Sequence, residues 1–152
     1  MSVHVALVKT EEEKISSEKA KKFIASEKNG AESIFVGKVR NENSGKKVTA
    51  VTYDAHDQAV LKSFQLICQR AKNKFDKNAK IFLEHAKGYA SVGEISILIA
   101  VGSGHRDEAF KICRYILEEV KHQSPIWKKE NYTDGKGEWL PGHSLRPKKE
   151  VK

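Results

Sequence analysis

The chain has 152 residues, 39% hydrophobic and 32% charged, with a formal net charge of +8 and a pI near 9.4. That length supports one core burying about two thirds of the unfolded surface without a disulfide or metal staple, and no apolar run approaches the roughly 18 residues of a membrane span. The positive excess points to an anionic substrate, nucleic acid or an acidic protein alike, and the closing RPKKEVK supplies part of it: Arg146, Lys148, Lys149 and Lys152 against Glu150.

The opening MSVHVALVKTEEEK alternates at Val3, Val5 and Leu7, which predicts a short strand, and it has neither the basic leader nor the apolar stretch of a secretory signal. A cytoplasmic location is the expectation. Ser16 or Ser17 can cap a helix running to about Lys28, with Ala20, Phe23 and Ile24 as its apolar stripe and Asn29-Gly30 as its end. AESIFVGKVR and VTAVTYDAH are rich in strand formers, and the turn-prone NENSGKK between them suggests a hairpin with a long connection.

Three-and-four spacing of Val60, Leu61, Phe64, Ile67, Cys68, Ala71 and Phe75 predicts a helix over 57–75. Two strands follow, AKIFLEHAKGYA and GEISILIAVGS, around Ser91-Val92-Gly93, and the second is apolar enough to be central. A helix is expected from Arg106 to about His122, then a strand in PIWKKENY, a turn at Asp134-Gly135 and a short GEWL before Pro141-Gly142. The order β-α-β-β-α-β-β-α-β-β, with hairpins where parallel crossovers would need helices, reads as one α+β domain over 1–145, with three main helices and a mixed, mainly antiparallel sheet. Residues 146–152 read as a basic, flexible tail.

Three stretches could carry chemistry. In VGSGHRDEAF a strand passes through two glycines into a helix start, where unpaired N–H groups favour an anion and His105 and Arg106 add donors. A plain strand-to-helix turn, with Asp107 and Glu108 on the helix dipole, accounts for the same residues. In GKVRNENSGKK, Lys38 and Arg40 would share a strand face, unless this is only a solvated hairpin end. Third, Lys121 falls in the last turn of a helix and Lys128 lies beyond Pro125. Along that strand Lys128 shares parity with Ile126, Glu130 and Tyr132, while Trp127, Lys129 and Asn131 face the other way. One of the two adjacent lysines must therefore meet packed structure, where its pKa would fall and it could move protons, or else merely lay its stem on the core. The six histidines are scattered and neither Cys68 nor Cys113 has a Cys-x-x-Cys neighbour, so no metal site is expected; both cysteines fall on apolar helix stripes and read as buried, reduced thiols.

Together, FVGKVRNENSGKKVTAVTYDAH, GSGHRDEAF and EEVKHQSPIWKKE with its downstream Asp-Gly turn and Trp139 resemble the large, catalytic subunit of molybdopterin synthase, over roughly residues 30 to 140. The resemblance implies an α/β-hammerhead fold and a sulfurtransferase of molybdenum cofactor biosynthesis that converts cyclic pyranopterin monophosphate to molybdopterin. It implies sulfur carried as a thiocarboxylate on the C-terminal glycine of a small ubiquitin-like subunit, a homodimer of large subunits within a heterotetramer, and no cofactor of its own. Matched residue by residue, Lys38, Val39, Arg40, His105, Arg106, Lys121, Lys128, Lys129 and Glu130 would bind substrate, with Lys121 and Lys128 the catalytic pair. The chain departs from the family pattern at Ala86, where arginine is common, and in YDAH. A small RNA-binding module would suit the charge and the α+β order, but no strand has the aromatic spacing of an RNA-recognition motif.

Overall fold

In the computed structural model, which describes residues 1–140, the pattern resolves into β1 (Val3–Lys9), α1 (Ser17–Ile24), β2 (Ala31–Lys38), β3 (Glu42–Asn43), β4 (Lys46–Ala55), α2 (Asp57–Phe75), β5 (Lys80–Ser91), β6 (Ile95–Ser103), α3 (Arg106–Gln123), β7 (Ile126–Tyr132) and β8 (Gly137–Trp139). Pro141-Gly142 and the basic tail 146–152 lie outside the described residues. The bounds of α2 and α3 match the apolar spacing closely. Helix α1 begins as expected, with the Ser16 hydroxyl accepting from Lys19 N–H. It stops four residues early because Ala25 is extended and the Asn29 amide donates to the Ile24 carbonyl at 2.9 Å, taking the place of further helical bonds.

The eight strands form one sheet of order β2-β6-β5-β4-β7-β8, with β1 added parallel to β5 and β3 paired to β4. All the other pairings are antiparallel. The hairpin expected between β2 and β4 does not form. Strand β2 takes the outer edge against β6, Ala31 opposite Ser103 and Lys38 opposite Ile95, while β4 lies between β5 and β7. Apolar alternation marks each strand, but it carries no information on which neighbour a strand chooses when the connection is long.

Strand β6 is buried from Ser96 to Ser103, as its unbroken apolar run requires. Even-numbered residues of β5 look toward α1: Phe82 stacks on His4, and the Glu84 carboxylate accepts from His4 Nε2 at 2.7 Å and Lys19 Nζ at 3.5 Å. Odd-numbered Ile81, Leu83 and His85 are buried on the opposite face, where α2 and α3 pack. At Gly88, φ is +105° and a Cβ would meet Thr10 Oγ1 at 2.8 Å, so glycine is required where β5 leaves its pairing with β1 and takes up β4. That turn of the strand brings β4 and β7 to the C-terminal end of α3.

Candidate functional site

Helix α3 runs antiparallel to β6 and ends where β6 begins, so its last turn carries Lys121 over the end of the sheet at which β2 finishes, with Lys38 opposite Ile95. The chain then turns through Ser124, whose hydroxyl shares a 3.0 Å hydrogen bond with Ser63 of α2, and enters β7 antiparallel to β4 with Lys128 opposite Tyr53 and Glu130 opposite Val51. In this register Ile126 and Glu130 are buried and Lys128, of the same parity, turns the same way. Lys128 is therefore the neighbour that meets packed structure.

The centre of the site is a buried polar contact between Tyr53 and His85. The His85 ring is 1% exposed and meets the Tyr53 ring edge-on at 4.9 Å, and its Nδ1 donates to the Ala86 carbonyl at 2.7 Å, leaving Nε2 without a proton in the neutral ring. Burial pushes the His85 pKa down to about 4; the hydrogen bond to Ala86 opposes this and the Lys121 charge reinforces it. Burial also raises the Tyr53 phenol, against a hydrogen bond with Ser96 that lowers it and with the Glu130 charge, which raises it. Ser96 in turn donates to the Gly37 carbonyl at 3.2 Å.

Around that centre stand the cations. Burial lowers the Lys128 pKa, Glu130 acts to raise it and Arg40 lowers it again, so the three charges lie within electrostatic reach of one another. Glu130 is 4% exposed and accepts from the Asn43 amide at 2.6 Å. Two stretches far apart in sequence, one carrying Arg40 and the other Lys121 and Lys128, thus come together through Tyr53, His85 and Glu130. A half-buried amine with a lowered pKa can exchange protons near neutrality, and a guanidinium beside it can hold a phosphate or carboxylate.

The remaining candidates fall elsewhere in the chain. Val39 is buried and serves the fold, its N–H bonding to Glu94 and its carbonyl accepting from Gly93. A register shift between Gly37 and Lys38 ends β2, so Lys38 and Arg40 do not share a strand face; Lys38 lines a cavity of about 290 Å3 with Lys14, Ala86, Glu94 and Ile95. Lys129 faces away from Lys128, and its stem packs where a Cβ on Gly137 would come within 2.4 Å of Cε.

His105 and Arg106 are exposed at the far end of β6, roughly 27 Å from Ile95 at about 3.4 Å per residue. At this turn burial works against the Asp76 carboxylate, but hydrogen bonds from Ser103, Asn78 and the Gly104 N–H outweigh it and hold its pKa below the usual range. The backbone donor that an anion would use is thus taken by a carboxylate of the same chain. The adjoining cavity of about 630 Å3 sets the carboxylates Asp76 and Glu108 beside Lys28 and Lys80, so it has no net positive lining from charged side chains. Tyr53, His85, Ser96 and Asn43 were not singled out from the sequence. Alternation marks Tyr53 and His85 as inward-facing, yet nothing in it predicts that they touch each other.

Neither thiol is available for chemistry: Cys68 and Cys113 are buried, and burial pushes Cys68 up to about 12 and raises Cys113, with Lys72 and the Ser33 contact opposing each shift. Among the described residues no cluster of His, Cys, Asp and Glu could hold a metal, and no helix is long and apolar enough to cross a membrane.

Fold and site together define a class: an α+β domain whose basic side chains, one of them a half-buried lysine, gather at one end of its sheet near a buried tyrosine and histidine. The model of the MoaE protein family matches residues 10–123. The molybdopterin synthase catalytic subunit of Synechococcus elongatus is 42% identical over 126 residues, covering 83% of this chain and 76% of its own, and that of Pyrococcus abyssi is 38% identical over 145 residues, covering 95% and 96%. Among solved structures, molybdopterin synthase from Staphylococcus aureus superposes with a TM-score of 0.81 at 30% identity, covering 91% of this chain and 96% of that one. A complex of subunits 1 and 2 of molybdopterin-converting factor from Helicobacter pylori, 19% identical with a TM-score of 0.72 over 95% and 93%, shares the fold. The chain belongs to the MoaE family of molybdopterin synthase catalytic subunits, and is accordingly an enzyme subunit.

Proposed function

We propose that this chain is the sulfurtransferase subunit that converts cyclic pyranopterin monophosphate to molybdopterin, taking sulfur from the C-terminal glycine thiocarboxylate of a small ubiquitin-like carrier. The observation that carries the reading is the convergence of Arg40, Lys121 and Lys128 around the buried Tyr53–His85 pair. Arg40 holds an anionic group of the substrate, and Lys121 and Lys128 assist acyl and proton transfer as the thiocarboxylate sulfur attacks the pterin side chain. With its pKa lowered by burial, Lys128 has more neutral amine near pH 7 than a surface lysine, which suits a proton acceptor. The inert cysteines agree with sulfur arriving on a partner, and the two-subunit complex from Helicobacter pylori supports such an assembly.

Because His105 and Arg106 lie a strand's length from the lysines, their part in substrate binding requires a second copy of the chain, whose turn would reach this copy's cleft. Phe110, one turn after Arg106 on the same helix face, is 66% exposed, as an interface residue would be in an isolated chain. The homodimer belongs to this proposal for that reason. Purified protein mixed with thiocarboxylated carrier and the cyclic pterin is expected to yield molybdopterin, and Lys121→Ala and Lys128→Ala to abolish most of the yield with the fold intact. No product from the wild type, or full activity in either variant, would overturn the assignment.

A further inference from the structure

We propose that Asn43, beside the turn of the short β3–β4 hairpin, is a positioning residue for the site: its side-chain amide fixes the Glu130 carboxylate on the strand face it shares with Lys128. This rests on the catalytic assignment of Lys128 made above.

Glu130 and Lys128 are two residues apart on one strand face, near enough to interact and far enough that side-chain torsions decide how strongly. A buried carboxylate without a fixed partner would choose among rotamers. The Asn43 amide, bonded to Oε1 at 2.6 Å, selects one of them and so fixes the distance from the carboxylate to Lys128. The groups facing Lys128 are Glu130 on its own strand, Arg40 after β2 and Tyr53 on β4, with His85 and Lys121 behind Tyr53. Among the described residues Glu130 is the carboxylate that acts to raise the lysine's pKa, against burial and Arg40, so its position bears on the lysine's ionisation.

The hairpin is built for this contact. Asn43 pairs with Lys46 across Ser44 and Gly45, whose φ values of 50° and 79° match a two-residue turn with both central residues left-handed. Ser44 is the one non-glycine residue with positive φ among those described, a conformation that costs roughly 1 kcal/mol for an L residue. Strain of this kind persists where surrounding contacts over-determine the backbone. Here they are the Val48 N–H bond to the Asn41 carbonyl at 2.8 Å and the Asn43 bond to Glu130. Glu42 and residues 44–47 are exposed; Lys46 lies over the Tyr132 ring at 4.9 Å and the Lys47 carbonyl accepts from Thr133 N–H at 3.1 Å, and Asn43 adds the hairpin's tie to the buried Glu130.

The test reads Lys128 directly. Lysines dimethylated with 13C-formaldehyde are titrated by NMR, with the Lys128 signal assigned by its loss in Lys128→Ala. Asn43→Ala is expected to lower the Lys128 pKa by about half a unit to one unit, because the ammonium loses a fixed anion. Glu130→Gln is expected to lower it at least as far, and the double variant no further than Glu130→Gln alone, since Asn43 acts through that carboxylate. An unchanged Lys128 pKa in Asn43→Ala, or additive shifts in the double variant, overturns the proposal. In turnover, Asn43→Ala should move the lysine limb of the kcat–pH profile to lower pH with KM nearly unchanged, and a change confined to KM would count against it. The titration is independent of molybdopterin formation, so failure of the sulfurtransferase assignment and failure of the Asn43 coupling give separate signals.

Discussion

Two basic regions of this molecule look alike in sequence and differ physically. Half-buried Lys121 and Lys128, with exposed Arg40 nearby, lie close to a buried Tyr53–His85 pair, and burial shifts the ionisation of Lys128 and His85. His105 and Arg106 stand exposed on a turn whose Gly104 N–H is already bonded to Asp76. A cation in water keeps its ordinary ionisation, whereas burial against a low-dielectric wall favours the neutral amine, as it does at Lys128. Under the proposed function the first region is the reaction centre of one chain, and the second serves it only if a second copy brings its turn there.

The largest expected effect separates charge from proton transfer at the first region. Lys128→Arg keeps the positive charge but cannot release a proton, so it should lose about 10²-fold or more in turnover, close to Lys128→Ala; near-normal turnover in Lys128→Arg would reduce the lysine to an electrostatic role. The second region is sharpened by mixing. Arg106→Ala protein and Lys121→Ala protein, each inactive alone, should recover roughly a quarter of wild-type activity after subunit exchange, because half the dimers are mixed and each mixed dimer has one intact site. No recovery would place Arg106 outside the other copy's cleft.

His85 predicts a pH dependence of stability. Its native pKa of about 4 lies below the ordinary value of 6.5, so as pH falls through that window the unfolded chain binds a proton that the native chain refuses. Stability present above about pH 6.5 should be lost toward pH 4, on the order of 3 kcal/mol from this group. Urea unfolding of the wild type should therefore weaken more steeply with acid than that of His85→Gln, and parallel curves would mean that His85 is not held neutral. The smallest effect belongs to the hairpin. Ser44→Gly relieves a left-handed serine and should raise stability by less than about 1 kcal/mol, visible as a small rise in Tm.

Apolar periodicity was sufficient to outline α2 and α3, to identify β6 as a central strand and to pair β5 with β6 across a tight turn, because these features depend on residues close in sequence. The same local information misread β2 and β4 as a hairpin, since both strands satisfy their alternation with other partners. In the site, the parity of PIWKKENY showed that only one of two adjacent lysines could meet the core, and it needed the register Lys128↔Tyr53 to say which. His85 gave no local sign of a role. Its neutral state follows from complete burial beside Lys121, which lies 36 positions further along the chain.

By itself the amino-acid order determined the class of fold, the burial of both thiols and the residues able to carry charge, because spacing and residue type act within a turn of helix or a few residues of strand. Only the tertiary structure decided which cations have their ionisation shifted. That choice depends on desolvation and on neighbours contributed by β4, β5 and β7, and neither quantity exists until the sheet has closed over the end of α3.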